Sequence, residues 1–292
     1  NFWKTLQQSS NSFNKEELKI PSIPSVQRNW DLINVERVVR SMTLTSELDI
    51  ARYKASVVPE SNAWLNTLPS KTIGLLLDNN TFRISISLRL GTNICVPHTC
   101  ICGTQVDSSG IHGLSCSMSA GRHSRHSSLN EIIHRSLASA KYPAVLEPVG
   151  LRRDDNKRPD GMTLVPWTKG QMLVWDATCT DTLAPSHVNL SSKTGGAVAE
   201  SAAGIKIRKY CSIIEQNHIF IPFAVETLGP WCREARNFVE CLGKRIASIT
   251  GEPRATSYLR QKISIAIQRG NAASVMGTLP TAIPMEEIYY LL

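Results

Sequence analysis

The 292-residue sequence predicts an α/β chain whose core runs helix, three strands, helix, strand, behind an α-helical segment and a small Cys/His loop. Three observations predict it. Leu129, Ile133, Leu137 and Ala140 recur at three- or four-residue spacing, which gives a helix one apolar stripe. Strand-like runs follow over 144–151, 158–167 and 171–179, the last two joined by the turn Thr168-Lys169-Gly170. A second helical pattern over 196–214 then leads into a strand over 218–226.

The rest of the chain is arranged around that core. Residues 1–24, rich in Ser, Asn and Gln, predict a loose lead-in. The stretch 31–90 is helical in pattern, with interruptions at Pro59 and Pro69, so 1–90 is expected to be a helical lead-in segment. Residues 91–126 hold the Cys/His loop and 127–229 the core. In 230–292, Pro230 opens an amphipathic helix that ends near Gly251, and a last helix covers about 255–276. A chain that starts with Asn rather than Met is expected to be part of something longer.

Composition narrows the partners. Hydrophobic residues make up 42% of the chain, enough for a sizeable core, and the formal charge of +8 favours an anionic partner, nucleic acid first. No run of about 18 apolar residues occurs, which argues against a membrane-spanning helix, and the first residues carry no signal-peptide pattern. Four of the eight cysteines fall between Cys95 and Cys116, too sparse for a secreted disulfide scaffold. A reducing compartment, cytosol or nucleus, fits better.

Two acids carry the chemical argument. A hairpin centred near Thr168 places Asp160 opposite Asp176, and directly opposite residues have Cβ atoms about 4.5–5.5 Å apart. Carboxylates that close repel unless a cation lies between them. Mg²⁺, or Mn²⁺, is the natural occupant, because it takes one or two carboxylates plus water and substrate phosphate. Hydrolysis of a phosphodiester also gains from a nearby cationic side chain. In the simplest such motif a lysine lies two residues after the second acid, where this sequence has Thr178. The following helix offers Lys206 and Lys209. With an apolar stripe of Ala199, Ala203, Ile207, Tyr210 and Ile214, Lys206 falls about 60° from its centre and Lys209 about 120°. Lys206 is therefore the preferred catalytic lysine. Glu147 either points into the same cleft or sits on an edge strand beside Pro148. Glu131 reads as half of a capping box with Ser128, and Glu226, which ends the fourth strand, is a weaker candidate for the site.

Cys100, Cys102, His112 and Cys116 offer three thiolates and an imidazole, the donor set of a structural zinc site. Such a site orders a loop that lacks a core of its own. The single residue between the first two cysteines is a tighter gap than usual, so Cys95 and His98 stay open as alternatives for one ligand. The basic runs Arg122–His126 and Arg152–Arg158 follow, suited to phosphate contacts.

Taken in order, these features resemble the C-terminal region of non-LTR retrotransposon proteins that carry a restriction-like endonuclease, a branch of the PD-(D/E)XK nucleases. The resemblance covers about 88–276. It rests on the Cys/His cluster, Gly121-Arg122 with Arg125-His126, Lys157-Arg158-Pro159-Asp160, Trp175-Asp176, and Lys206 with Lys209-Tyr210. It implies a restriction-endonuclease-like core in which Asp160 is the first catalytic acid and the lysine has moved onto the following helix. It also implies nicking of double-stranded DNA in the nucleus, leaving a 3′-hydroxyl that a reverse transcriptase, upstream or in trans, extends on the element's RNA. No polymerase fits within 1–90. Arg122, Arg125, His126, Arg158 and Tyr210 are the expected nucleic-acid contacts. The tight Cys100–Cys102 pair and the long gap from Asp176 to Lys206 depart from the family pattern. A second expectation, from another class, is a nucleic-acid-binding module that keeps the fold without cutting.

Overall fold

The structure, a computed structural model, describes residues 23, 25–151 and 158–279. Most of the lead-in and the basic residues Arg152, Arg153 and Lys157 lie outside the described residues. Contacts divide the chain into two units, 1–45 and 46–292. In the first, helix α1 (Gln27–Ser41) carries the ion pair Arg40–Glu36 at 3.6 Å and buries none of its residues. Residues 46–90, grouped by the sequence with the lead-in, belong instead to the second unit.

That second unit begins with α2 (Glu47–Ser56), a 3₁₀ turn at Pro59–Asn62, and α3 (Asn79–Leu90). Asp78 caps α3 by accepting the Thr81 amide at 2.9 Å, and Gly91 at φ 74° ends it. The Cys/His loop is a two-stranded hairpin, β1 (His98–Thr99) and β2 (Gln105–Val106), followed by the one-turn helix α4 (His112–Ser115).

The core follows the predicted order as a mixed α/β arrangement. Helix α5 (Ala120–Ser139) precedes β3 (Ala144–Leu146), β4 (Gly161–Thr163) and β5 (Leu173–Thr180). Three helices, α6 (Val188–Ser191), α7 (Ala197–Lys209) and α8 (Cys211–Glu215), lead to β6 (Ile219–Glu226). The sheet order is β3-β4-β5-β6, antiparallel across the first three strands, with β6 parallel to β5. Helices α9 (Arg233–Thr250) and α10 (Ala255–Met276) complete the unit.

The first two strands are shorter than expected, for local reasons. Beyond Leu146 the backbone of Glu147 turns to φ 51° and Pro148 supplies no amide to a ladder. Beyond Thr163, Pro166 interrupts pairing, and the chain closes through Trp167 N–H to Gln171 O at 2.8 Å.

Two helices also differ from the sequence reading. Helix α5 starts at Ala120, so the expected 126/127 boundary falls inside it and Ser128 caps nothing. Its polar first half is held by close approach to α10 rather than by an apolar stripe. A Cβ on Gly121 would overlap Ser274, and the Arg125 stem lies where Gly270 has no side chain. Glu131, freed from the capping role, pairs with Arg135 one turn on. The helix expected over 196–214 breaks at Tyr210. Its buried positions are Val198, Ala199, Ala202 and Ala203, while Ile207 and Ile214 are exposed and Ile213 is buried. The stripe is thus rotated toward Lys206.

The main apolar cluster joins Leu129, Ile133 and Leu137 of α5 to Leu173, Trp175 and Ala177 of β5 and to α9 and α10. Val174 points the other way, into a second cluster with Tyr210 and Ile213. Asp176, two residues after Val174, shares that second face. Helix α10, expected as an extension, is therefore part of the core, with Leu259, Ile263 and Ile267 inside it.

Candidate active site and metal centre

The hairpin brings the segments of the two acids together. Gly161 pairs with Trp175 and Met162 with Val174, and the pairing ends there, with Asp160 one residue before Gly161 and Asp176 one residue after Trp175. Gly161 is needed at this turn because the Trp175 indole lies across it, leaving no room for a Cβ. The Asp160 amide donates to Trp175 O at 3.1 Å, and its carbonyl accepts the Glu147 amide at 2.8 Å, which ties it to both neighbouring strands.

The Asp160 carboxylate accepts two bonds on Oδ2, from the Ala177 amide at 2.6 Å and from His126 Nε2 at 3.1 Å. Burial pushes this carboxyl up, but the bond and charge of His126, the Ala177 amide and Asn130 outweigh it, so the net shift is downward. His126 responds in kind. Its bond to Asp160 and the charges of Asp160 and Asp176 raise it, against burial and the Lys206 charge. His126, Asn130, Leu146, Glu147 and Asp160 line one cleft of about 650 Å³.

Asp176 lies deeper, its side chain 5% exposed, and Lys206 reaches it from α7 with an ion pair to Oδ1. The rotated stripe explains this reach, because Lys206 lies one turn beyond Ala202 and Ala203 on the buried face. Lys209 is directed elsewhere. Its Nζ donates to the Tyr210 hydroxyl at 2.7 Å and lies 4.4 Å from that ring's centre. The Tyr210 hydroxyl in turn donates to the Arg158 carbonyl at 3.0 Å, two residues before Asp160.

The expected nucleic-acid contacts divide. Arg122, His126 and Arg158 are exposed. Tyr210 is fully buried against Phe220, with ring centres 5.0 Å apart, and anchors the Arg158–Asp160 segment rather than a surface. Arg125 is also buried, and donates to Asn271 Oδ1 at 2.8 Å between α5 and α10. Glu147 lines the cleft with Asp160, follows the edge strand β3, and has its carboxylate paired to Arg158. Glu226 is fully buried and caps α7 by accepting the Ala199 amide at 3.0 Å. Sequence reasoning missed Asn130. Its spacing of four from His126, one helical turn, was the available signal.

The Cys/His loop gathers its four donors at one point. The β1–β2 turn, closed by Gly103 N–H to Cys100 O at 2.8 Å and by Gly103 at φ 86°, presents Cys100 and Cys102. Helix α4 presents His112 and Cys116, four residues apart. All four donor atoms lie within 4.8 Å of one another. Cys100 and Cys116 sulfurs are 3.8 Å apart and Cys102 Sγ lies 3.2 Å from His112 Nε2. Sulfurs bound tetrahedrally at about 2.3 Å stand about 3.8 Å apart, so the donor set fits a metal ion of zinc's size and preference. Burial holds the Cys100 thiol up at about 11, while Thr104 holds Cys102 down to about 6. The alternatives fall away. His98 bonds Thr278 Oγ1 at 3.0 Å, and Cys95 contacts the Asp107 carbonyl at 3.4 Å.

Among the described residues, no helix is long and apolar enough to cross a membrane. No protein-family model and no curated protein sequence matches the chain.

Proposed function

We propose that this chain is a metal-dependent DNA endonuclease with a restriction-endonuclease-like core, which nicks double-stranded target DNA so that a retrotransposon's reverse transcriptase can extend the 3′-hydroxyl on the element's RNA. The observation that carries the reading is the β4–β5 pairing, which sets Asp160 beside Gly161 and Asp176 beside its partner Trp175, with the charges of both acids acting on His126. Helix α5, three antiparallel strands, α7 and a parallel fourth strand support it, as the order that the resemblance implies.

The donor set suits Mg²⁺ or Mn²⁺. Both carboxylates act on His126, and the pull of His126 and the Ala177 amide lowers the Asp160 carboxyl below its ordinary value. A divalent ion bound there supplies a Lewis acid for the scissile phosphate and lowers the pKa of attacking water. Asp160 is oriented by its Ala177 and His126 bonds and Asp176 by Lys206. Lys206 brings positive charge to where the phosphate gains negative charge. Tyr210 and Lys209 hold the segment before Asp160. Exposed Arg122 and Arg158 are placed to contact the DNA backbone. The Cys/His loop holds a structural zinc, on this reading, and seats against α10 through Leu114 and Val275.

A module that grips nucleic acid without cutting is the second reading. The direct Lys206–Asp176 contact favours it, because that contact occupies an oxygen that a metal would use. Incubation with end-labelled duplex separates the two. Cleavage in Mg²⁺, with binding but no turnover in Ca²⁺, is the expected result. Binding in both ions with cleavage in neither selects the second reading.

A further inference from the structure

We propose that His126, together with Asn130, is a positioning residue for Asp160. In this role its Nε2–H pins one carboxylate oxygen and leaves the other to face a divalent ion. The inference rests on the endonuclease reading and deepens it, since His126 was expected only as a surface contact to nucleic acid.

The argument begins in the core. The Trp175 indole N–H is a donor only, and it lies 3.0 Å from Asn130 Oδ1. That bond fixes the orientation of the Asn130 amide with its oxygen toward Trp175, so its NH₂ group faces His126. The two ring nitrogens of His126 lie 3.4 Å from Asn130 Nδ2. Asn130 also bonds the Asp160 carboxylate, so both side chains of this helical turn bear on that acid. An ionised carboxylate only accepts, so the His126 nitrogen that meets it, Nε2, carries a proton. That proton points at Asp160 Oδ2, 3.1 Å away.

The relay Trp175–Asn130–His126–Asp160 therefore runs from a fully buried indole to a carboxylate at the cleft. His126 Nε2–H and the Ala177 amide both bond Oδ2, so the carboxylate has a defined rotation and Oδ1 is the oxygen turned away from those donors. Partners of this kind set the orientation of a metal-binding carboxylate, and their loss weakens metal binding about 10–100-fold. Helix α5 supplies both His126 and Asn130 on one face, four residues apart, which accounts for the presence of this helix at the cleft.

Two readouts test the proposal. Long-range ¹H–¹⁵N spectra of metal-free protein at alkaline pH, with the His126 signal assigned by its loss in His126→Gln, report the ring tautomer. The Nε2-protonated form is expected, and the Nδ1-protonated form overturns the relay. Calorimetric titration of Mn²⁺ into wild type, His126→Leu and His126→Gln gives the second. His126→Leu should bind Mn²⁺ at least about tenfold more weakly. His126→Gln should fall between, because its amide can still donate to Oδ2. Wild-type Mn²⁺ affinity in His126→Leu, with or without weaker DNA binding in Ca²⁺, overturns the positioning role. If the wild type neither binds Mn²⁺ nor cuts DNA, the endonuclease reading has failed, and the tautomer still decides the relay.

Discussion

The Trp175 indole lies across Gly161, on the neighbouring strand, so closely that a Cβ at Gly161 would overlap its six-membered ring. The contact joins the core of the sheet to the turn that carries Asp160. Gly161→Ala is expected to destabilise the fold by about 1–3 kcal/mol, the usual effect of overpacking a filled core. Urea unfolding should show a lowered midpoint with an unchanged slope. A midpoint equal to that of the wild type would mean that the indole moves aside freely.

The Asp176–Lys206 pair makes a second prediction. Lys206→Met leaves the Asp176 carboxylate 5% exposed without its cation, a loss of about 3–5 kcal/mol for a buried pair. Asp176→Asn in that background removes the stranded charge and should recover part of the loss. Thermal unfolding of the two single variants and the double variant measures the coupling. If the two losses simply add, the ion pair contributes nothing to stability.

Glu226 makes stability depend on pH. Burial raises its carboxyl, against the pull of the Ala199 amide, Thr182 and the Val198 amide, and its Oε2 has no hydrogen-bond partner among the described residues. A raised folded-state pKa gives stability that is full below the unfolded value of about 4.3 and is lost as pH rises through the folded value. Glu226→Gln removes that loss. Its stability relative to wild type should therefore increase from pH 4.5 to pH 8, as measured by urea unfolding at each pH. A difference that does not vary with pH would place the Glu226 pKa near its ordinary value.

Metal removal should affect the Cys/His loop first. Protein purified without chelator is expected to hold one zinc per chain. Cys116→Ser should reduce that content, and Cys95→Ser should not, because Cys95 lies outside the four-donor group. Atomic emission analysis reads this directly. Equal zinc in both variants would remove the assigned ligand set.

The parts of this structure that were legible in the sequence are those set by periodicity and turns. The turn Thr168-Lys169-Gly170 gave the hairpin register, in which Gly161 meets Trp175 and Met162 meets Val174. The limits of α10 and the glycine stop of α9 were equally plain. What was hidden depends on close packing of small residues. Gly121 and Gly270 let α5 and α10 approach closely, and no apolar stripe records that contact. Arg125 and Tyr210 were misread for a related reason: a charged or aromatic side chain beside basic residues suggests a surface, and only the fold shows that Asn271 and the Arg158 carbonyl receive them. The break at Tyr210, too, leaves no proline or glycine to mark it.

The conversion of supercoiled plasmid to nicked circles by wild type and Asp160→Asn, at equal DNA occupancy, tests the central claim most directly. The account predicts nicking by the wild type in Mg²⁺ and none with chelator. It also predicts a rate for Asp160→Asn lower by about 10²-fold or more, while binding in Ca²⁺ persists. Nicking without a divalent ion, or wild-type nicking by Asp160→Asn, would contradict it.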